Sequence, residues 1–554
     1  MKPVDALLEI LRSEGVRHVF GNPGTTELPF LDALVEAPDL SYVLGLQEAS
    51  VVAMADGYAR ATGRTAFVNL HVAAGLANGL IGLLNASRSR TPIVVLAGQQ
   101  DRRHLLADPM LSGDLVGIAS PVAKSAVEVH QAYDLPVLLR RAFALARQVP
   151  AGPVFVSVPM DVLSSDSDSL PVPGVSRVSP AGPPSEITDA VRLLTGADSP
   201  VIVAGDGVGR DGCVPDLVTL AERLGAPVWS QPMYDGVDFP ASHPLHLGML
   251  PPRHSAIRSA LEAHDVVVIV GCHAFMPHHY TPGPAIPEGA VVVQIDPDPA
   301  EIGRNFPVEA GLAGPLGPTL RALAAGVATA LADGPGSAGA AGRAERISRR
   351  TAASRDAAEA DALRRYGPVP LDPVAAMHAV AAGLPADAVV VEEAITAGLV
   401  LRTVLRPDRP GSYVHTVGGG LGWGVGAAIG TRLGDPSRPV VAVLGDGCTM
   451  FGLQGLWSAV RYRVPVTFVV VNNGEYRTLK ETLDGTKSRS AALGRYLGTD
   501  FPGLDWQAGA RLFGLASTRV SSAAELRAVV AGAGDRADPL LVEVPVTAHG
   551  GRSG

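Results

Sequence analysis

The chain has 554 residues, of which 47% are hydrophobic and 18% charged, and its formal net charge is -9. The length predicts three or four domains at about 150 residues each, and the composition predicts substantial apolar cores. The acidic balance excludes a nucleic-acid partner on electrostatic grounds, and no apolar run approaches the ~20 residues of a membrane span.

The three cysteines, Cys213, Cys272 and Cys448, are far apart and show no metal spacing. They do not suggest a disulfide framework, which predicts a reducing, cytoplasmic setting. Met1-Lys2-Pro3 leads directly into a helical pattern at Leu7, Leu8 and Leu11, with no charged-then-apolar signal segment.

Three α/β blocks are expected, at 1–176, 186–333 and 366–554. In the first, strands are expected at 16–20, 42–46, 66–70, 93–97 and 154–158, with a helix over 49–61 among the segments between them. Strands alternating with helices predict a mainly parallel, doubly wound sheet covered on both faces. A Pro- and Ser-rich stretch over 164–185 reads as a linker. The second block has expected strands at 201–204, 227–229, 266–270 and 290–295. A Gly/Ala/Ser-rich segment over 334–342 marks the next boundary. The polar helix after it, 343–365, carries charges of both signs and reads as a solvated linker. The third block has expected strands at 388–391, 440–444, 467–471 and 540–544.

The most informative motif lies in the third block. Gly445-Asp446-Gly447 is followed by 24 residues and then Asn472-Asn473. An apolar strand precedes each end, and residues 453–462 carry helical spacing between them. This β-α-β unit puts Asp446 and Asn473 at carboxyl ends of strands, where α/β sheets bind ligands. Their oxygens are hard donors suited to Mg²⁺, and the backbone N–H groups near Gly447 suit a phosphate. An ordinary β-α-β turn with polar ends is the alternative. The spacing resembles the diphosphate-Mg²⁺ motif of thiamine-diphosphate (ThDP) enzymes. That resemblance implies Asp446, Asn473 and the backbone carbonyl of Glu475 as metal ligands. It implies cofactor contacts at Gly445, Gly447, Cys448 and Tyr476, and at Leu421 within Gly418-Gly419-Gly420-Leu421-Gly422 as the apolar wedge beneath the cofactor.

Glu48 stands where a strand becomes a helix, ahead of Ala55-Asp56-Gly57-Tyr58-Ala59 and Ala61-Thr62-Gly63. A glutamate there is ordinarily a dipole-satisfying residue. The string is similar to the cofactor-activating glutamate segment of the same family, which implies that Glu48 hydrogen-bonds the cofactor's pyrimidine ring. Such a role needs a protonatable, water-shielded acid. Glu48 and the metal motif fall in different blocks, so the resemblance also implies a homodimer or homotetramer with active sites at subunit interfaces.

The run from Phe20-Gly21-Asn22-Pro23-Gly24-Thr25 to Phe30, with Asn69-Leu70-His71 and Ala97-Gly98-Gln99-Gln100, most resembles the benzoylformate decarboxylase branch. Thr25 is then expected on the substrate carboxylate. His71 and His278 are expected to move protons, as imidazoles titrating near neutrality can, with His279 one residue away from the second. The substrate end departs from that branch: Ile395 aligns with a threonine, Thr478 and Thr482 with alanine and phenylalanine, and the segment 479–503, with Lys480, Lys487, Arg489 and Arg495, looks longer. Met110 and Leu111 fall where the family keeps leucines. The expected activity is ThDP- and Mg²⁺-dependent, non-oxidative decarboxylation of an aromatic, benzoylformate-like 2-oxo acid to an aldehyde and CO₂, with a more polar or larger 2-oxo acid as the variant that the altered substrate end suggests. The alternatives are a carboligase of the acetolactate synthase type, a flavin or nicotinamide oxidoreductase, and an inactive binding protein. The oxidoreductase reading rests on Gly207-Val208-Gly209-Arg210-Asp211-Gly212, a lone G-x-G-x-x-G, which reads as a remnant turn.

Overall fold

The computed structural model describes residues 2–166, 170–175, 182–332 and 336–549. The chain separates into two compact units. One holds 1–177, 366–400 and 416–554, and the other holds 178–365 and 401–415.

Valine-rich runs buried on both faces are what parallel sheets require, and they alternate here with helices. In the first unit one sheet runs, in spatial order, Ser41–Leu44, His18–Gly21, Ala66–Leu70, Ile93–Gln99, Val154–Pro159 and Ser125–Glu128, with every pairing parallel. The same unit contains a second parallel series: Val389–Glu393, Val440–Gly445, Val466–Asn472, Leu540–Pro545 and Ala516–Arg519. The other unit has a parallel sheet in the order Ala310–Ala313, Val291–Asp296, Val266–Val270, Pro200–Ala204, Val228–Ser230 and His246–Met249. Helices flank each, so the expected α/β class is the observed one.

Every strand expected from the sequence is present within two residues of its expected ends. Ser125–Glu128, Ala516–Arg519, Ala310–Ala313, His246–Met249 and Tyr413–His415 are not expected from it. The last is three residues long and buried throughout; the first four are edge strands, and most of their residues keep partial exposure. An edge strand buries too little to need a continuous apolar run.

The 164–185 linker lies partly outside the described residues. The expected Gly/Ala/Ser boundary is corrected: from Gly336 onward it is the first part of a helix, Gly336–Arg364, because alanine favours helix over coil. Nor is this helix a solvated linker. The Arg343 guanidinium donates to the Leu224 carbonyl at 2.7 Å, and Arg355 donates to the carbonyls of Ser242, Ala241 and His243.

In the first unit the helix Glu48–Thr62 packs on the helix Trp423–Gly434 at backbone distance. A Cβ at Gly57 would stand 2.1 Å from the Ala427 carbonyl oxygen, and one at Gly430 1.8 Å from that of Met54. Glycine is what lets these two helices touch, and the contact joins the first and third blocks.

Candidate active site

Glu48 opens its helix at the carboxyl end of the first sheet. The Gln47 side chain caps that helix by accepting from the Ser50 N–H. The Glu48 carboxylate is buried, and each oxygen takes a different amide: Oε1 accepts from Asn22 Nδ2 at 3.2 Å and Oε2 from Asn78 Nδ2 at 3.1 Å. Two neutral donors hold the group in place without pairing its charge.

His71 ends the adjoining strand, one residue after Leu70. Its Nδ1 faces Glu27 Oε2 at 2.9 Å and Thr26 Oγ1 at 3.1 Å. Glu27 is fully buried and further fixed by the N–H groups of Gly24 and Gly98 and by the Thr26 hydroxyl. An ionised Glu27 places the imidazole proton on Nδ1, which leaves Nε2 for a ligand. A Cβ at Gly75 would lie 3.3 Å from Glu48 Oε1 and 3.6 Å from His71 Cβ, so both side chains flank the first turn of the helix Val72–Arg88. Thr25 is exposed; Thr26 makes the hydroxyl contact to His71. Glu27 and Asn78 escape sequence reasoning because neither stands in a recognisable spacing.

In the third block, Asp446 lies at the end of Val440–Gly445. Its Oδ1 accepts from Gly447 N at 2.7 Å, and its Oδ2 from Asn473 N at 3.0 Å and Gly474 N at 2.7 Å. Asn473 Oδ1 accepts from Glu475 N at 3.1 Å. The two halves of the motif therefore meet. Burial pushes the Asp446 carboxyl up to about 6 against the pull of these N–H groups. Among the described residues no Lys, Arg or His pairs with it. A buried carboxylate that lacks a cation fits a metal ion. No cluster of three His, Cys, Asp or Glu side chains suited to a metal exists among the described residues. The donor set here is one carboxylate with amide and carbonyl oxygens, as Mg²⁺ takes together with phosphates. The Glu475 side chain is tied elsewhere, to Lys480 and to the His549 N–H. Burial pushes the Cys448 thiol up, so it stays protonated.

Leu421 is held by its surroundings. The Glu393 carboxylate accepts from the N–H groups of Gly422, Trp423 and Gly424 at 2.9, 3.3 and 2.8 Å, which caps the start of the helix Trp423–Gly434. On the other side Asn85 exchanges two hydrogen bonds with Gly420, at 2.9 and 2.8 Å.

A cavity of about 700 Å³ joins Asp446, Asn473 and Leu421 to Ile395, Leu399 and Phe451, and Gly445, Gly447, Cys448, Glu475, Tyr476 and Thr478 also line it. Thr482 does not; its hydroxyl donates to the Thr478 carbonyl. Among the described residues none of the first block lines this cavity, Glu48 and His71 included. A larger recess of about 970 Å³, beside Glu128 and Arg141, contains none of these groups.

His278 belongs to the other unit. It is exposed, and its Nδ1 faces His279 Nε2 at 3.1 Å. The Gly207–Gly212 motif is corrected from a turn to a short helix, Asp206–Arg210. A Cβ at Gly207 would meet the Gly271 carbonyl at 2.9 Å and one at Gly209 the Val237 carbonyl at 2.3 Å. Backbone packing thus accounts for both glycines.

Three family models match the chain: thiamine pyrophosphate enzyme N-terminal TPP binding domain over residues 1–116, central domain over 187–323, and C-terminal TPP binding domain over 396–544. The chain is 36% identical to benzoylformate decarboxylase of Pseudomonas aeruginosa, over 98% of its own length and 99% of the relative's. It is 28% identical to a probable acetolactate synthase large subunit of Methanocaldococcus jannaschii, over 85% and 80% of the two chains. Among solved structures it matches a thiamine diphosphate-dependent 4-hydroxybenzoylformate decarboxylase of Rhodococcus jostii with a TM-score of 0.86 at 33% identity. It matches benzoylformate decarboxylase of Polynucleobacter necessarius with a TM-score of 0.86 at 29% identity, and both matches cover 99% of each chain.

Proposed function

The chain belongs to the thiamine-diphosphate-dependent 2-oxo acid decarboxylase family, and on that premise we propose that it converts an aryl 2-oxo acid to an aldehyde and CO₂. The observation that carries this reading is the pair of prepared groups at the strand ends: a buried Glu48 held by two amides beside a His71 oriented by Glu27. When bound, the cofactor supplies a nucleophilic carbon and an electron sink. Asp446, Asn473 and the Glu475 carbonyl would hold Mg²⁺, Gly445, Gly447, Cys448 and Tyr476 would hold the diphosphate, and Leu421 would support the cofactor's rings. Glu48 holds a proton at the pyrimidine ring, and His71 Nε2 delivers one to the substrate. Thr25 orients the carboxylate, and His278 is the second proton carrier.

The blocks 1–176, 186–333 and 366–554 serve as pyrimidine-binding, Rossmann-like middle and diphosphate-binding domains. Since no described residue of the first block lines the cavity at Asp446, we assign Glu48 to the cofactor of a second copy, which makes the working enzyme a homodimer or a homotetramer of two such dimers. The unpaired cysteines support a cytoplasmic setting.

The carboligase reading is supported by the acetolactate synthase relatives, at lower identity and coverage than the decarboxylase. Incubating the holoenzyme with one and then two carbonyl substrates separates the readings, because aldehyde as the main product is expected of a decarboxylase. Glu48→Gln should reduce CO₂ release by more than about 100-fold while the melting transition is retained. Turnover near the parent rate would overturn the role given to Glu48.

A further inference from the structure

Leu421 sits in a glycine run, and two of its neighbours, Gly419 and Gly422, have φ of 76° and 89°. Such a run has little conformational preference of its own. Its place at the cavity wall is therefore set by what grips it. Glu393 grips it after Leu421, through the N–H groups of Gly422, Trp423 and Gly424. Asn85 grips it before Leu421, and Asn85 belongs to the first block.

This second grip needs an amide. Asn85 Oδ1 accepts from Gly420 N at 2.9 Å, and Asn85 Nδ2 donates to Gly420 O at 2.8 Å. Both backbone groups of one residue are taken, as an antiparallel strand would take them. An amide carries a donor and an acceptor side by side, which an ionised carboxylate does not. Asn85 is 1% exposed, so water does not compete for either bond. The helix Val72–Arg88 that bears it is seated in turn on the helix Glu48–Thr62, where a Cβ at Gly82 would stand 2.6 Å from Val52 Cβ. Gly420 lies against the same support, since a Cβ there would stand 2.6 Å from Ile81 Cγ1. The cavity is lined by Gly419 and Leu421, on either side of the gripped residue, and not by Asn85.

We propose that Asn85 is a positioning residue for the cofactor: by pairing with Gly420 it fixes Gly419 and Leu421 at the wall that receives thiamine diphosphate. The inference rests on the reading of this cavity as the cofactor site. It gives the first block two duties. Glu48 serves the cofactor of the second copy by contact, and Asn85 serves the cofactor of its own chain through the glycine run.

The test is calorimetric titration of the metal-free, full-length protein with Mg²⁺ and thiamine diphosphate. Asn85→Leu keeps the bulk of the side chain and removes both bonds. It should raise the Kd of the cofactor at least about tenfold, the size of loss seen when a group that orients a metal ligand is removed. The same substitution made on Leu421→Ala should cost at most about threefold, because two residues that act as one unit are not additive. A purely structural Asn85 would give equal losses in both backgrounds. Equal losses would overturn the inference, and so would an unchanged Kd in Asn85→Leu. If circular dichroism shows that Asn85→Leu does not fold, Asn85→Ser replaces it, and the parent supplies a second measurement. In the cofactor-free parent the Gly420 N–H should exchange slowly with solvent deuterium, and fast exchange there would overturn the inference. A parent that binds no thiamine diphosphate would overturn the cofactor reading of the cavity and the inference with it.

Discussion

Trp423 Nε1 donates to Asp56 Oδ2 at 2.7 Å, across 367 residues of sequence and between two buried side chains. Asp56 lies on the helix that begins with Glu48, and Trp423 begins the helix that follows Leu421. The Arg60 guanidinium stands 5.9 Å from the indole ring centroid. One hydrogen bond thus fastens the element bearing the proposed proton holder to the element bearing the proposed cofactor support.

Trp423→Phe keeps most of the buried ring and removes the donor. Losing one donor to a buried carboxylate should lower unfolding stability by about 1–3 kcal/mol. Asp56→Asn should cost less, because the amide oxygen still accepts from the indole. Urea denaturation of both variants checks this. Equal midpoints for Trp423→Phe and the parent would mean that the bond contributes nothing to stability.

Glu27 faces His71 Nδ1 at 2.9 Å and acts through it. Glu27→Gln can present an amide N–H to Nδ1 and so favour the tautomer with its proton on Nε2. The expected loss in kcat is about 10- to 100-fold, short of the ~10²–10⁴ carried by an acid-base group itself. KM should change little, and the change should be smaller for Glu27→Asp than for Glu27→Gln. Parallel losses for Gln and Asp, together with a lowered melting temperature, would assign Glu27 a purely structural part.

Lys480 is buried between Glu475 and Asp500, and its ammonium lies 5.7 Å from the Tyr496 ring centroid. The segment after it returns beside the loop over Asn473–Tyr476: Tyr476 N donates to Thr499 O at 2.7 Å, and Phe501 N to Gly474 O at 2.9 Å. Lys480→Met would leave the Glu475 carboxylate buried without its cation, a loss of up to about 3–5 kcal/mol for a well-buried pair. Combining it with Glu475→Gln should recover much of that stability. Calorimetric titration of the metal-free protein with Mg²⁺ and thiamine diphosphate should show weaker binding in the single variant. Unchanged affinity would show that the strap does not position the loop.

The central strands and both motif ends were legible because they leave local marks: unbroken valine runs, and a polar tip after each. Asp446 and Asn473 could be paired across 26 residues since a β-α-β unit has nearly fixed length. The edge strands left no such mark. Glu27, Asn78 and Glu393 were illegible for a different reason. Each acts on a partner brought in by the fold, Glu393 on the N–H groups of residues about 30 positions away, and nothing in their own neighbourhoods signals it. The Gly207 motif reads as a turn and folds as a short helix, because close backbone packing at Gly207 and Gly209 selects glycine there.

The second unit should respond to pH through Asp238. Burial pushes its carboxyl up to about 8, and Ser230 Oγ donates to it at 2.7 Å. Ser230 Oγ also lies 3.1 Å from His246 Nε2, and burial pushes that imidazole down to about 4. The signs are opposite. Between about pH 4 and 8 the folded Asp238 keeps a proton that the unfolded chain releases, so its contribution makes stability fall as pH rises. Between about 4 and 6.5 the unfolded chain protonates His246 while the fold does not, so that contribution makes stability rise with pH and offsets the first. Above about 6.5 only the acid's contribution remains, at no more than about 1.4 kcal/mol per pH unit for one proton. Asp206, raised mainly by burial as well, adds in the same direction, so the variant has to be compared with its parent. Asp238→Asn keeps an acceptor for Ser230 and removes the titration. Its stability advantage over the parent should grow from pH 6.5 to 8 in denaturant titrations, and a constant difference across that range would refute the assignment.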